Sequence, residues 1–529
     1  MVSMQTIGRI NITTDVPYID ETNVVSVLRK AYIQHTINAN RIEYLLRYDA
    51  GEQPLTRTKT VRPDIDCQCV DNVANEITEF WNSYMFGTPI NYVQTANNDD
   101  EEISEAVKEL NRQLALAGIS SKTTEIGRYV TIGAVDYVYI DINSQYRPGK
   151  SFISYNVLDP TTSFVVKSSY YPDKRPMMGV TYRHDMETGN NYFTCITDDK
   201  RYEIINLHKI TNGDLKQDEV WKHAERSGEK NPYGIINIVE WYRSHDRMGV
   251  WERQISEMDN LNLLVSDFTN DVDQNTQAIW HGNDIDFPTE KIITLEDGTE
   301  KEVKKKPKSG EWVLTYTSKD GSKPSISPLA VNYDYPGMLN NILYRRQLIL
   351  QKCNVPQRND NSGGSTGVAM SDATGWSQAE TAASKQQMII DSIKMQEAEV
   401  ILAVIDKSPD IPQNSPLRKL TLADIEPSIK RQKTYEMSTK VNSIATLLSH
   451  GFSLEDTLNG VPFFDDNNEV CSRSGGMVQR YQESIVNKTT GTQSEGGEGE
   501  KSPNSDRTMQ DLSDQISNSP MIDKTRTDK

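Results

Sequence analysis

The pentapeptide Gly363-Gly364-Ser365-Thr366-Gly367 has the G-x-S-x-G spacing of a nucleophile elbow. In that motif a buried strand feeds a strained turn, which leaves the serine hydroxyl exposed beside a base. Here the approach is Arg358-Asn359-Asp360-Asn361-Ser362, too polar for a buried strand. The segment reads as a flexible loop. A soluble hydrolase using Ser365 stands as the alternative; it would be a small oligomer turning over activated esters. The loop also lacks the G-K-[ST] ending of a phosphate-binding loop, so nucleotide hydrolysis has no support. Metal chemistry has no better footing. Cys67-Gln68-Cys69 has no second pair at zinc spacing, and none of the seven histidines stands four residues from another. Asp271 and Asp273 read as a solvated acidic helix face rather than a cation site. Neither catalysis nor a cofactor is expected.

The patterned residues that remain suit assembly. Trp251, Met258, Val265 and Val272 recur every seven residues, with Leu261 and Phe268 between them. That is a narrow coiled-coil-like seam, suited to packing beside copies of itself. The same segment carries Glu252, Glu257, Asp259, Asp267, Asp271 and Asp273 against Arg253 alone. Glu252, Asp259 and Asp273 share one heptad line, with Ser266 in the gap. Like charges 10 Å apart in water repel by only about 0.4 kcal/mol. The one dense basic patch, Lys304-Lys305-Lys306-Pro307-Lys308, is either a solvated hairpin end or a contact for an acidic partner or DNA phosphates.

The elements that position these residues follow from periodicity. Helices are predicted over 20–48, 69–86 and about 100–118, the last opening on the acidic run 99–102, as a helix dipole favours. From about 128 to 210 the period falls to two, and Gly, Asn, Asp and Pro turns separate β-branched and aromatic runs: a meandering antiparallel sheet. Tyr233–Tyr242 adds a strand. The acidic helix runs to about Asn275, and 276–332 is a compact β-rich insertion. In it Lys291–Leu295 and Lys301–Lys305 form a hairpin about Glu296-Asp297-Gly298, and Trp312–Thr317 adds a strand. Helix returns at 336–353, a polar loop crosses 354–366, a long helix spans about 368–406, and further helices lie near 421–459. Residues 487–529 contain no aromatic residue and are disordered by composition.

The chain has 529 residues and a net charge of −18. That length predicts several domains, and the acidic balance argues against a protein that grips nucleic acid by neutralising phosphates. Only 36% of residues are hydrophobic, below the roughly 45–50% apolar content usual in globular proteins, so much of the chain should face solvent or other chains. No apolar run approaches the roughly 18–20 residues of a membrane span, and the first residues lack the pattern of a secretory signal. Five scattered cysteines, Cys67, Cys69, Cys195, Cys353 and Cys471, are no disulfide framework and are expected to be reduced.

The order of these elements resembles the portal proteins of tailed double-stranded-DNA phages, above all those of long-tailed phages of Gram-positive hosts. The strings that look like that family's are Tyr84–Ile90 (YMFGTPI), Val157-Leu158-Asp159-Pro160, Asn231-Pro232-Tyr233-Gly234 with Ile238-Val239-Glu240, and Gly363–Met370 (GGSTGVAM). The resemblance covers about 20–480 and rests on the collinear set. It departs at Ser371–Gln378, where a Lys/Tyr-rich helix start is commoner. It implies an α+β portal-type fold: a helical wing with an antiparallel β-sheet, two stem helices, a small α/β clip, a helical crown and a disordered C-terminal tail. By carry-over, 1–19 is an N-terminal arm, 20–250 the wing, 251–275 and 333–353 the stem helices, and 276–332 the clip. Residues 354–366 are then the tunnel loop, 367–406 the long wing helix, 407–486 the crown and 487–529 the tail.

The implied function is a ring of about twelve subunits at one capsid vertex, a conduit for DNA packaging and ejection without sequence readout. The implied channel lining is Glu252, Asp259 and Asp273, and the tunnel-loop contacts are Asn354, Gln357, Arg358, Asn359, Asp360 and Asn361. The seam between subunits is Trp251, Met258, Val265 and Val272, and Lys304, Lys305, Lys306 and Lys308 make the clip contact. Implied partners are the terminase large subunit, the major capsid and scaffolding proteins and a neck adaptor, with no membrane. The location is the virion, after synthesis in the host cytoplasm. Another ring-forming neck component is a second alternative, though such adaptors are usually shorter and lack the helix–insertion–helix pattern.

Overall fold

Helix α1 (Val24–Asp49) opens where Asp20 gathers the chain: its carboxylate accepts the amides of Thr22 and Asn23 at 2.8 and 3.1 Å. Val24, Leu28, Ala31, His35, Ile42 and Leu45 then fall on one buried face. The computed structural model describes residues 8–55, 64–95, 101–209, 218–276, 279–283, 289–294, 300–304, 324–329, 334–357, 375–429, 431, 436–454 and scattered positions to 474. The expected tail, 487–529, and the expected strand at 312–317 lie outside them. The chain divides into two compact units, Met1–Met437 and Ser438–Lys529.

Helix α2 (Val73–Phe86) is capped by Asn72, whose side chain accepts the Asn75 amide. α3 (Glu101–Leu116) carries Glu101 and Glu102 in its first turn. A further helix, α4 (Ile119–Gly133), occupies residues whose Thr, Ile and Val content reads partly as strand. Its buried residues Ile119, Thr123, Ile126 and Val130 nonetheless return every three or four positions. Gly127 lets α4 cross α2 closely: a Cβ there would stand 2.3 Å from the Phe86 ring and 2.4 Å from Asn82.

The expected single meander is two sheets. A three-stranded sheet has the order β11-β3-β4, from β3 (Val135–Ile142), β4 (Ile153–Leu158) and β11 (Ile238–Tyr242). A seven-stranded sheet runs β1-β5-β6-β7-β8-β10, with β9 also on β8. Its members are β1 (Thr13–Thr14), β5 (Ser163–Ser168), β6 (Pro176–His184), β7 (Asn191–Ile196), β8 (Lys200–Lys209), β9 (Asp218–His223) and β10 (Glu229–Lys230). The break falls at Asp159, whose carboxylate accepts the Thr161 amide at 2.8 Å and turns the chain from one sheet to the other. Residues 8–19 are no free arm. β1 pairs in parallel with β5, while Gln34 and Asn38 of α1 bond the backbone of Thr13 and Ile10.

The long helix α7 (Trp376–Lys407) lies on the three-stranded sheet. Its buried Lys394 and Glu397 pair at 2.6 Å. Glu397 also accepts from Tyr155 at 2.7 Å and from the Trp241 indole at 2.6 Å. The helices expected near 421–459 reduce at their start to a 3₁₀ turn, Leu422–Asp424, followed by strand β16 (Ile425–Ser428), antiparallel to β2 (Asn91–Gln94). The 3₁₀ turn Pro416–Lys419 packs on α3, and residues up to Met437 belong to the first compact unit. In the second unit the described structure is chiefly α8 (Glu436–Ser449), which begins at the boundary.

Candidate functional site

Two helices bracket the β insertion, α5 (Ile255–Thr276) and α6 (Tyr335–Lys352), and they pack on each other. Strand β12 (Ile279–Asn283), just after α5, pairs with β15 (Ser325–Leu329), just before α6. β13 (Thr289–Thr294) and β14 (Glu300–Lys304) form the expected hairpin, within two residues of the predicted bounds. Lys304 ends β14 opposite Thr289; Lys305, Lys306 and Lys308 lie outside the described residues. Asp334 starts α6 by accepting the Gly337 amide at 3.0 Å, with Pro336 in the first turn. At the far end Trp81 donates its indole N–H to the Cys353 carbonyl at 2.9 Å, which ties α6 to α2.

The heptad line on α5 divides between core and surface. Trp251 is wholly buried, stacked on Tyr48 with ring centroids 5.4 Å apart and donating to Thr78 Oγ1 at 2.9 Å. Met258 is also fully buried, with Leu261. These two residues therefore cannot be a seam between copies: their own chain already covers them. Val265 is half-buried against the same core, and Val272 is 44% exposed. The exposed apolar surface of the pair lies instead mainly on α6, where Leu339 is 45%, Leu343 47% and Tyr344 64% exposed. Phe268 of α5 meets Tyr335 of α6 edge-on at 6.0 Å.

The acidic line divides in the same way. Glu252 is no channel residue: its side chain is nearly buried, salt-bridged to Arg9 and Arg41, and accepts the Gly249 amide at 3.0 Å. Asp259 accepts the Tyr48 hydroxyl at 2.8 Å; burial raises its pKa above the ordinary carboxylate value, and the Tyr48 bond opposes that rise. Asp267, Asp271 and Asp273 are half-buried on the outer part of α5. Glu257 faces α6, 3.5 Å from Arg345 and 3.8 Å from Lys352. Arg346 reaches back to Asp71 at 3.0 Å and to Glu76.

A third face of α5 was not foreseen. Asn262, Ser266 and Asn270, four residues apart, accept the backbone amides of Asp71, Cys69 and Cys67 at 2.9, 3.0 and 2.7 Å. The helix rise over four residues is about 6 Å, close to the spacing of every second residue in an extended chain. The segment before α2 is thereby laid along α5. Three small polar residues in a helix otherwise rich in apolar and acidic side chains were the available signal.

Of the expected tunnel loop, Asn354 and Gln357 are described. Asn354 has a left-handed φ of 55° just past α6, and the neighbouring Val355 is buried. Arg358, Asn359, Asp360, Asn361 and Ser365 lie outside the described residues. Among the described residues no group of three or more His, Cys, Asp or Glu could hold a metal ion, and no helix is long and apolar enough to cross a membrane.

The described part is thus an α+β protein whose patterned residues form a helix-bracketed β insertion, the arrangement of an assembly component. The chain belongs to a phage portal family, described as phage portal protein, SPP1 Gp6-like, which matches residues 31–484. It is a bacteriophage portal protein, a component of the virion from a structural family concerned with genome packaging. No curated protein matches the chain.

Proposed function

We propose that copies of this chain assemble into a ring of about twelve at one capsid vertex. The ring is the conduit for DNA entry and exit. The observation that carries this reading is the α6 surface: Leu339, Leu343 and Tyr344 stay exposed in a single copy. Leu339 and Leu343, four residues apart on one face, gain by burial against a neighbour. Asp267, Asp271 and Asp273 of α5 face the axis and keep DNA centred without adsorbing it. Residues 354–366 touch DNA without base readout. The insertion, with Lys304, Lys305, Lys306 and Lys308, docks the terminase large subunit during packaging and the neck adaptor afterwards. The wing meets the major capsid and scaffolding proteins, and assembly follows synthesis in the host cytoplasm.

Light scattering with negative-stain imaging tests this. A ring of about 0.7 MDa is expected from about twelve chains of 59.9 kDa. A monomer or dimer that persists when the scaffold protein is added refutes it.

A further inference from the structure

Buried arginines in this fold are paired with carboxylates: Arg9 with Glu252, Arg247 with Glu240 at 2.6 Å, and Arg418 with Asp406 at 3.8 Å. Arg243, just past β11 and half-buried, makes no ion pair among the described residues. Its Nε is buried and bonded to nothing, and Nη1 reaches only the Met248 carbonyl at 3.5 Å. The nearest acid, Asp246, is engaged by Arg253 at 2.5 Å and by the Ser244 hydroxyl. Burial lowers the guanidinium's pKa from its ordinary value, with Asp246 only partly opposing. Enclosing its Nε without a partner leaves that part of the guanidinium uncompensated.

Arg243 opens onto a cleft of about 460 Å³ whose lining includes Lys385, Ser377, Gln378, Asn354 and Gln386 and contains no acidic residue. Ser377 and Gln378 belong to the first turn of α7. The N-cap there, Gly375, makes no side-chain cap hydrogen bond.

We propose that this cleft binds a phosphate group, with Arg243 and Lys385 as the charged donors and Ser377 and Gln378 as neutral ones. Only the source of the phosphate rests on the conduit reading: the backbone of passing DNA, or free phosphate. The test is a calorimetric titration of the full chain with inorganic phosphate at millimolar concentration, ionic strength being held constant with chloride. Saturable binding is expected. Lys385 is exposed, so Lys385→Gln should leave the fold intact and weaken binding about tenfold, the worth of one charge-assisted hydrogen bond. Arg243→Gln should abolish binding. If that variant fails to fold, Lys385→Gln decides alone. Absence of saturable binding, or a Lys385→Gln variant that binds as tightly as the parent, overturns the proposal. Competition with a mixed-sequence DNA duplex separates the sources. Displacement of phosphate points to the DNA backbone and its absence to the free anion, and either supports the cleft. Failure of the conduit reading would show separately, as the absence of a ring, without altering the phosphate titration.

Discussion

Lys394→Met is the most informative single change in the wing. Lys394 and Glu397 are 1% and 0% exposed in their side chains and 2.6 Å apart. Burial lowers the ammonium's pKa, and the attraction of Glu397 more than offsets it, so the group titrates above its ordinary value. Methionine fills the same volume without charge. It leaves Glu397 with only the neutral donors Tyr155 and Trp241, at 2.7 and 2.6 Å. Breaking a buried pair from one side costs about 3–5 kcal/mol, whereas removing both charges is often nearly neutral. Lys394→Met should therefore lose about 3–5 kcal/mol in urea unfolding followed by tryptophan fluorescence. Lys394→Met with Glu397→Gln, which keeps an acceptor for Trp241, should recover most of it. The reasoning fails if the single variant loses under about 1 kcal/mol, or if the double variant loses as much as the sum of the two singles. The first outcome would mean that Glu397 needs no counter-charge, the second that the two charges are not coupled.

Leu343→Asp should leave the monomer's melting temperature within a few degrees of the parent's and abolish the ring in light scattering. Trp251→Ala should do the reverse, costing about 3–5 kcal/mol of stability as a core truncation while any protein that folds still assembles. His35 is buried against Phe164, donates to the Thr161 carbonyl at 2.8 Å, and is lowered to about 4 by burial. The unfolded chain takes up this proton near its ordinary value and the native state refuses it, so stability falls as pH drops from about 6.5 toward 4. The loss reaches about 3 kcal/mol, and urea midpoints of His35→Gln should be correspondingly flatter over that range. Asp136 is fully buried without a well-formed hydrogen bond at either carboxyl oxygen, and burial raises its pKa well above the ordinary value. Its contribution is therefore lost as pH rises. Asp136→Asn should stabilise by about 1–2 kcal/mol at pH 8, with the gain shrinking toward pH 5 in the same assay.

Elements with a strong period and a clear stop were legible in the sequence. α1, α2, α6 and the insertion hairpin fall within a few residues of expectation, because each has a cap or turn residue at its boundary. α4 was hidden because its threonines and isoleucines carry strand propensity, and the crossing with α2 at Gly127 overrides propensity. β1 and β16 were illegible for another reason. One is two residues long and the other four, and each is defined by a distant partner, Thr13 by Lys167 and Ile425 by Gln94. Their local sequence says little about such partners.

The misassigned seam has its own geometric cause. A straight α-helix drifts by about 20° per heptad against a strict seven-residue repeat. Within α5, Met258, Val265 and Val272 span two heptads, so the line rotates by about 40°. It starts in the core, where Met258 is wholly buried, and ends in solvent, where Val272 is 44% exposed. A seven-residue repeat makes an intersubunit seam only if the helices supercoil to cancel that drift. α5 has no freedom to do so, because Asn262, Ser266 and Asn270 bind it to the 67–71 segment along another face. With one face in the core and one under that segment, the remaining face is left for acidic residues. The apolar surface offered to a neighbour then passes to α6. Its residues Leu339 and Leu343 are only four apart, a span too short for the drift to matter.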